Sequence, residues 1–362
     1  MDFTKEQLAR IWLQCAPMNA WNKLLKLKEK LGGAEQVWDH FTPEYYTLLG
    51  EEAFSLLADA RANRCAKALG QMAALGANPL FFGAADYPLP LSRISHAPDV
   101  LFCQGALPAD GMPAIAIVGS RSATRYGLAH AKRIARELAA QGIAVISGLA
   151  RGIDAAAHEG ALEGGGCTVA VLGSGLGDLY PAENKALAAR ILQSGGAIVS
   201  ELAPDAPPLP YHFPVRNRII SGLADGVLLI EAKLKSGTHT TINYALDQGR
   251  EVFALPGNVD APGSELPLTL LKEGAKICTC GRDIIETMGW EKATPQQASF
   301  LPQEEEETAD PILKALALEE KTLEELIRET GLPAGELGTQ LTLLEISGKI
   351  ERRAGRAYAL RR

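Results

Sequence analysis

From Ala114 onward the chain repeats one pattern: a short run of Val, Ile, Ala and Leu, a glycine turn, then a helical stretch. AIAIVGS (114–120) leads into YGLAHAKRIARELAAQG, IAVISG (143–148) into ARGIDAAAHEGALEGG, and CTVAVLGSG (167–175) into AENKALAARILQSGG. AIVSE, VLLIEA and EVFALPG each begin a further unit. Strands so uniformly apolar lose both faces to the interior, which calls for a parallel sheet covered by helices on each side. Six or seven such units predict an α/β, Rossmann-like, doubly wound parallel sheet. The pattern does not encode strand order.

At 362 residues the chain is longer than that domain needs. Residues 1–80 carry apolar residues at helical spacing, as in LARIWLQCA and WNKLLKLKEKLGG, with Gly32-Gly33 and Gly76 as stops. They predict a small all-helical domain that packs or docks and does no chemistry. Residues 81–290 hold the sheet, entered through a proline-rich stretch. Residues 291–310 hold six acidic residues against one Lys, four of them in a row, and read as a solvated linker. Residues 311–362 give three helical patterns and a strand pair around Ala354-Gly355, which is the winged-helix plan. The hairpin carries Arg352, Arg353, Arg356, Arg361 and Arg362.

The net charge of −7 excludes a simple polycation, yet five of those seven excess charges fall in the linker. Local basic patches therefore remain available elsewhere. No apolar run reaches bilayer length, and MDFTKEQLAR lacks the apolar stretch of a signal peptide, so a cytoplasmic protein without a membrane partner is expected. The six cysteines are scattered. Only Cys278-Thr279-Cys280 is close-set, without a second pair to complete a zinc site, so reduced structural thiols are expected.

In a doubly wound sheet, ligands bind outside the carboxyl ends of the strands. Five segments there are small or basic: Gly119-Ser120-Arg121, Ser147-Gly148 with Arg151, Gly173-Ser174-Gly175, Arg216-Asn217-Arg218 and Ser236-Gly237-Thr238. Unpaired N–H groups at helix starts and the helix dipole favour anions, and guanidinium forks match phosphate oxygens. Lys185 and Arg190, with Lys233, Lys235 and Lys276, extend the cationic set. One glycine turn after a strand is ordinarily just a turn; five together favour an anionic ligand.

The type of anion follows by exclusion. No G-x-x-x-x-G-K-[ST] loop is present, so ATP hydrolysis is not expected, and Gly173-x-Gly175-x-Gly177 misses the dinucleotide spacing. No nucleophile elbow or H-E-x-x-H occurs, and the six His are isolated, so no metal and no cofactor are expected. His158 and His239 are expected to form hydrogen bonds or lie beside phosphate. Asp154 is expected to orient its loop. Glu201 and Glu231 end strands, and nothing in the sequence brings them together. The spread of cations suits a polyanion backbone better than a small nucleotide.

These segments, within IVGSRSATRYG (117–127), SGLARGIDAAAHEGAL (147–162), AVLGSGLGDLYPAENKAL (170–187), FPVRNRIISGLADGVLLIEA (213–232), SGTHTT (236–241) and FALPGNVDAPGS (253–264), resemble those of the DNA-processing protein A family (DprA, or Smf) across essentially the whole chain. The resemblance implies a non-catalytic single-stranded DNA-binding protein of natural transformation. Such a protein protects incoming DNA and loads the RecA recombinase onto it. It also implies an extended Rossmann domain that pairs into a homodimer, an N-terminal SAM-like helical domain and a C-terminal winged-helix-like domain. Carried over by position, the family's phosphate-binding loop falls on Gly119, Ser120 and Arg121, its helix lysine on Lys185, its Arg-Asn-Arg on Arg216, Asn217 and Arg218, and its hydroxyl turn on Ser236, Gly237 and Thr238. Tyr180, Tyr211, His212 and Phe213 are candidate stacking partners for bases. With aromatics at only 6% of the chain, backbone contacts should dominate.

Two other readings compete. Related Rossmann-fold phosphoribohydrolases use a Gly-Gly-x-Gly-Thr-x-x-Glu turn. Gly237-Thr238 matches its Gly-Thr, but Thr241 stands where the Glu is needed for acid/base work. A transcription factor reading through residues 311–362 meets a recognition helix, ELGTQLTLLEISG, with no Lys or Arg.

Overall fold

The computed structural model describes residues 3–58, 61–291, 311–316, 320–346, 349–353 and 357–360. They form two compact units, Met1–Glu291 and Lys292–Arg362. The expected linker, apart from Glu291, lies outside the described residues.

The first unit opens with six helices: α1 (Lys5–Gln14), α2 (Trp21–Leu31), α3 (Ala34–Asp39), α4 (Tyr45–Leu49), α5 (Glu51–Ala58) and α6 (Arg61–Leu75). Thr4 starts α1 with a reciprocal cap: its Oγ accepts from the Gln7 N–H at 3.2 Å, and Gln7 Oε1 accepts from the Thr4 N–H at 2.9 Å. Gly32 ends α2 in the left-handed region, at φ +92°, where a side chain would be strained. Trp12 fills the centre of this module, edge-on to Phe41 at 5.1 Å, and its indole N–H donates to the Leu57 carbonyl.

The strands follow: β1 (Ala77–Phe81), β2 (Val100–Gly105), β3 (Ala114–Val118), β4 (Ala144–Ser147), β5 (Thr168–Val171), β6 (Ala197–Ser200), β7 (Gly226–Leu229), β8 (Glu251–Ala254) and β9 (Lys276–Ile277). The helices between them are α7 (Leu89–Ser92), α8 (Arg125–Ala140), α9 (Ile153–Glu163), α10 (Lys185–Gln193), α11 (His212–Gly222), α12 (Thr238–Asp247) and α13 (Glu265–Lys272), and α14 (Gly281–Met288) follows β9. Strand order is β1-β2-β6-β5-β4-β3-β7-β8-β9, and β3 to β9 run parallel. The doubly wound sheet expected from the apolar runs is present, with one addition. β1 and β2 extend it antiparallel beyond β6, so the expected domain boundary at residue 80 falls inside a strand.

Every residue of β3 to β7 is buried, as their composition requires. Alternate residues serve opposite faces. Ala116, Val118, Val227 and Leu229 pack under α11, α12 and α13, whereas Ile115, Ile117 and Leu228 pack under α8 and α9. At the β1–β2 edge, Phe81 and Phe102 share a third cluster with Ile11 of α1 and Met72 of α6, which docks the helical module on the sheet.

From β3 the chain winds outward through β4, β5 and β6, then returns to β7 on the other side of β3. Ile115 pairs with Gly226 and Val118 with Leu229, so β3 and β7 end side by side. That reversal opens a crevice at the carboxyl ends of these two strands.

The second unit contains α15 (Pro311–Ala315), β10 (Lys321–Thr322), α16 (Leu323–Thr330), α17 (Ala334–Ile346), β11 (Ile350–Arg352) and β12 (Ala357–Leu360). Its three-stranded sheet has order β10-β12-β11, and its core is built on Ile312, Leu326, Leu337, Leu341, Ile350 and Tyr358. This is the winged-helix plan, with β10 added. Arg352 donates to the Tyr358 hydroxyl at 2.8 Å and Arg353 pairs with Glu351. Arg356, Arg361 and Arg362 lie outside the described residues.

Candidate nucleic-acid interface

The crevice between β3 and β7 holds a cleft of about 770 Å³. Its rear wall is the loop after β3. The Ser120 N–H donates to the Glu231 carbonyl at 2.7 Å, and the Ser120 carbonyl accepts from the Ile153 N–H at 3.2 Å. A Cβ at Gly119 would lie 2.7 Å from Ile153 Cγ1, so only glycine lets the loop pass this close. Gly152, at φ +76°, would likewise drive a side chain into the Ser120 carbonyl.

Arg121 leaves this loop into the cleft, exposed, with its guanidinium 5.2 Å from the centre of the Phe213 ring. Arg216 of α11 approaches the same ring at 5.8 Å. It is buried, and Nη1 donates to the carbonyls of Gly148 and Val171. Burial lowers its pKa to about 10, against the pull of Asp154, so it remains a cation at neutral pH. Asp154 opens α9, and its Oδ2 accepts from the Gly148 and Ala150 N–H groups at 3.1 and 3.3 Å. Burial raises the Asp154 carboxyl, while Arg216 and those two donors oppose the rise. Asp154 therefore braces the loop after β4. The backbone there is strained: buried Leu149 sits at φ +56°.

The opposite wall is the turn after β7. Lys233 and Lys235 line it, exposed, and no ion pair among the described residues involves either of them or Arg121. Ser236 presents a buried hydroxyl with no hydrogen-bond partner. Gly237 precedes α12, whose N-terminus has no side-chain cap, and Asn217 Nδ2 reaches the Gly237 carbonyl at 3.4 Å. Thr238 Oγ1 donates to the Gly119 carbonyl, also at 3.4 Å, and so links the two walls. Tyr180 and Phe213 supply ring faces, 5.8 Å apart between centroids.

Of the residues expected at the site, Gly119, Ser120, Arg121, Arg216, Asn217, Ser236, Gly237 and Thr238 come together in this cleft. The others lie elsewhere. Arg218 points away into a buried fork with Glu201, at 2.6 and 2.8 Å, and its Nε donates to the His96 carbonyl. Ser147 is fully buried and donates to the Ile117 carbonyl. Gly148 sits between Asp154 and Arg216. Gly173 lies against the Phe213 ring, and Gly175 under the Ala203 and Pro204 carbonyls. Both are packing glycines, and the Ser174 hydroxyl is buried between them. Arg151 pairs with Glu183 at the surface. Lys185 starts α10 and Lys276 lies on the edge strand β9, both exposed outside the cleft lining.

His212 is buried, with Nδ1 facing the Pro207 carbonyl, and Tyr211 is exposed; neither lines the cleft. His158 is also buried, with Nδ1 donating to Thr168 Oγ1, and burial pushes its pKa down to about 3. Glu231 accepts from the Thr124 N–H and hydroxyl and so braces the residue that caps α8. Pro208 and Pro210 of the proline-rich segment before α11 also line the cleft. The signal in the sequence was their stiffness, four prolines within residues 204–210.

Among the described residues, no group of His, Cys, Asp and Glu could hold a metal ion, and no helix is long and apolar enough to cross a membrane. The profile of DNA recombination-mediator protein A matches residues 78–289, and that of the DprA winged helix domain matches residues 295–356. Protein Smf of Escherichia coli is 43% identical over 283 residues, covering 76% of this chain and 75% of its own. The DNA processing protein DprA of Streptococcus pneumoniae is 43% identical over 199 residues, 55% of this chain and 70% of its own. Among solved structures, DprA of Streptococcus pneumoniae aligns with TM-score 0.61 at 32% identity, over 79% of this chain and 98% of that one. DNA processing protein A of Helicobacter pylori, solved for its single-stranded DNA binding mode, aligns with TM-score 0.53 at 29% identity, over 59% and 96%. Sheet, winged helix and sequence agree: the chain belongs to the DNA recombination-mediator protein A family, the DprA/Smf proteins.

Proposed function

We propose that this protein binds single-stranded DNA in the β3/β7 cleft without catalysis, protects incoming DNA in natural transformation and loads RecA recombinase onto it. One observation carries the reading. The cleft combines three unpaired exposed cations, Arg121, Lys233 and Lys235, with the buried Arg216, an uncapped helix start and two ring faces. Cations and N–H groups neutralise successive phosphates, and Tyr180 and Phe213 offer stacking surfaces to unpaired bases, a sequence-tolerant mode.

The one carboxylate among the cleft's described residues, Asp154, is buried and bonded to its own loop, which supports a binder over a phosphoribohydrolase. Thr241, at the position of the hydrolase Glu, is buried and neutral. The α17 helix has no Lys or Arg, which counts against duplex readout by the winged helix. The relatives named for DNA processing support the same reading, and we propose that the protein works as a cytoplasmic homodimer paired through the Rossmann-like domain.

The test compares labelled oligo-dT with a matched duplex, then RecA-driven pairing of homologous strands with and without the protein. Preference for the single strand and stimulation of RecA are expected. Equal binding to both forms, or none, would remove the reading.

A further inference from the structure

The proline-rich segment before α11 is held from outside the sheet. Asp205 receives both Nη groups of Arg64, at 3.2 and 3.4 Å, and Lys67 Nζ at 2.7 Å, all from α6 of the helical module. Burial pushes the Asp205 carboxyl up, but Lys67 and Arg64 outweigh it and hold the group below its ordinary range. A second hook lies just upstream, where Gln14 of α1 donates to the Glu201 carbonyl at 2.8 Å.

Between these hooks and the cleft the chain has little freedom. Pro204, Pro207, Pro208 and Pro210 fix φ at four of seven positions. The Gly175 and Gly177 N–H groups donate to the Ala206 and Pro204 carbonyls, both at 2.8 Å. Pro208 and Pro210 are cleft wall, and the segment runs into α11, which carries Phe213, the ring on which Arg121 and Arg216 rest. A displacement at Asp205 therefore travels to the wall instead of dissipating in a flexible loop.

We propose that the helical module sets the shape of the DNA cleft through the Arg64–Asp205–Lys67 clasp, which makes Asp205 a positioning residue for a ligand it does not touch. The inference rests on the single-stranded DNA reading of the cleft and adds a function for residues 1–75. Asp205→Asn discriminates it from plain electrostatics by sign. Removing an acid from the neighbourhood of a cationic cleft should strengthen binding of a polyanion. Loss of the clasp should instead weaken it, by about five- to tenfold, the lower range of coupling between separate sites.

The experiment measures oligo-dT affinity and dissociation rate for wild type, Asp205→Asn, Asp205→Glu and Asp99→Asn, with a thermal melt of each. Asp99 pairs with Arg10 and Lys28 of the same module but is not part of the proline-rich segment, and serves as the control. The expected result is faster dissociation from Asp205→Asn, partial recovery in Asp205→Glu and unchanged affinity in Asp99→Asn. Should Asp205→Asn fail to fold, Arg64→Lys keeps the charge but loses the fork, and the same weakening is expected. Unchanged or tighter binding by a folded clasp variant, or equal weakening in Asp99→Asn, overturns the proposal. Failure of wild type to bind oligo-dT would instead overturn the reading of the cleft itself.

Discussion

Arg216 and Arg218 are two residues apart on α11, and on a helix that spacing turns side chains to nearly opposite sides. One guanidinium therefore meets the cleft and the other meets Glu201, with side-chain exposures of 9% and 8% in that pair. The Arg-Asn-Arg string looked like a single anion-binding unit in sequence; helical geometry divides it. Arg218→Ala leaves Glu201 buried without its partner and is expected to cost about 3–5 kcal/mol of stability. Arg121→Ala should shift stability by no more than about 0.5 kcal/mol while weakening DNA binding. Denaturant melts and binding isotherms of the two variants should show opposite profiles, and similar profiles would contradict the division.

His158 gives a pH prediction at the same scale. Its folded pKa of about 3 lies below the ordinary value of 6.5, so the unfolded state takes up the proton first as pH falls. The His158 contribution to stability is expected to be full above pH 6.5 and to decline by about 1.4 kcal/mol per pH unit from there toward pH 3. His158→Gln should flatten that slope in melts at pH 7, 6 and 5. An unchanged slope would assign the acid sensitivity to other groups.

At the scale of elements, the apolar runs with glycine ends announced the parallel strands, and Gly119, Ser236 and Gly237 announced the cleft turns. The sequence could not say which glycines serve ligand and which serve packing, because that depends on what lies across the turn. Gly175 has the Ala203 carbonyl above it, so Gly175→Ala should lower stability by about 1–3 kcal/mol through overpacking, as read by the melting midpoint. A midpoint equal to wild type would mean the segment 202–211 yields freely, which would also weaken the clasp argument. Lys276 was illegible for another reason. Strand order places β9 two strands beyond β7, on the order of 10 Å away, and order is absent from a pattern of short apolar runs.

The whole molecule carries net charge −7, with most of the excess in residues 291–310, and still sets Arg121, Lys233 and Lys235, none of them in an ion pair among the described residues, around one crevice. The position of that crevice follows from topology, since strands are added on one side of β3 up to β6 and on its other side from β7. The measurement that tests this most directly is the salt dependence of oligo-dT affinity for wild type and an Arg121→Ala/Lys233→Ala/Lys235→Ala variant. Each phosphate contact contributes a slope of about −0.7 in log affinity against log salt for single strands. Losing three contacts should make the slope shallower by about 2, with the melting midpoint unchanged. An equal slope in the two proteins would mean that DNA is held elsewhere on the molecule.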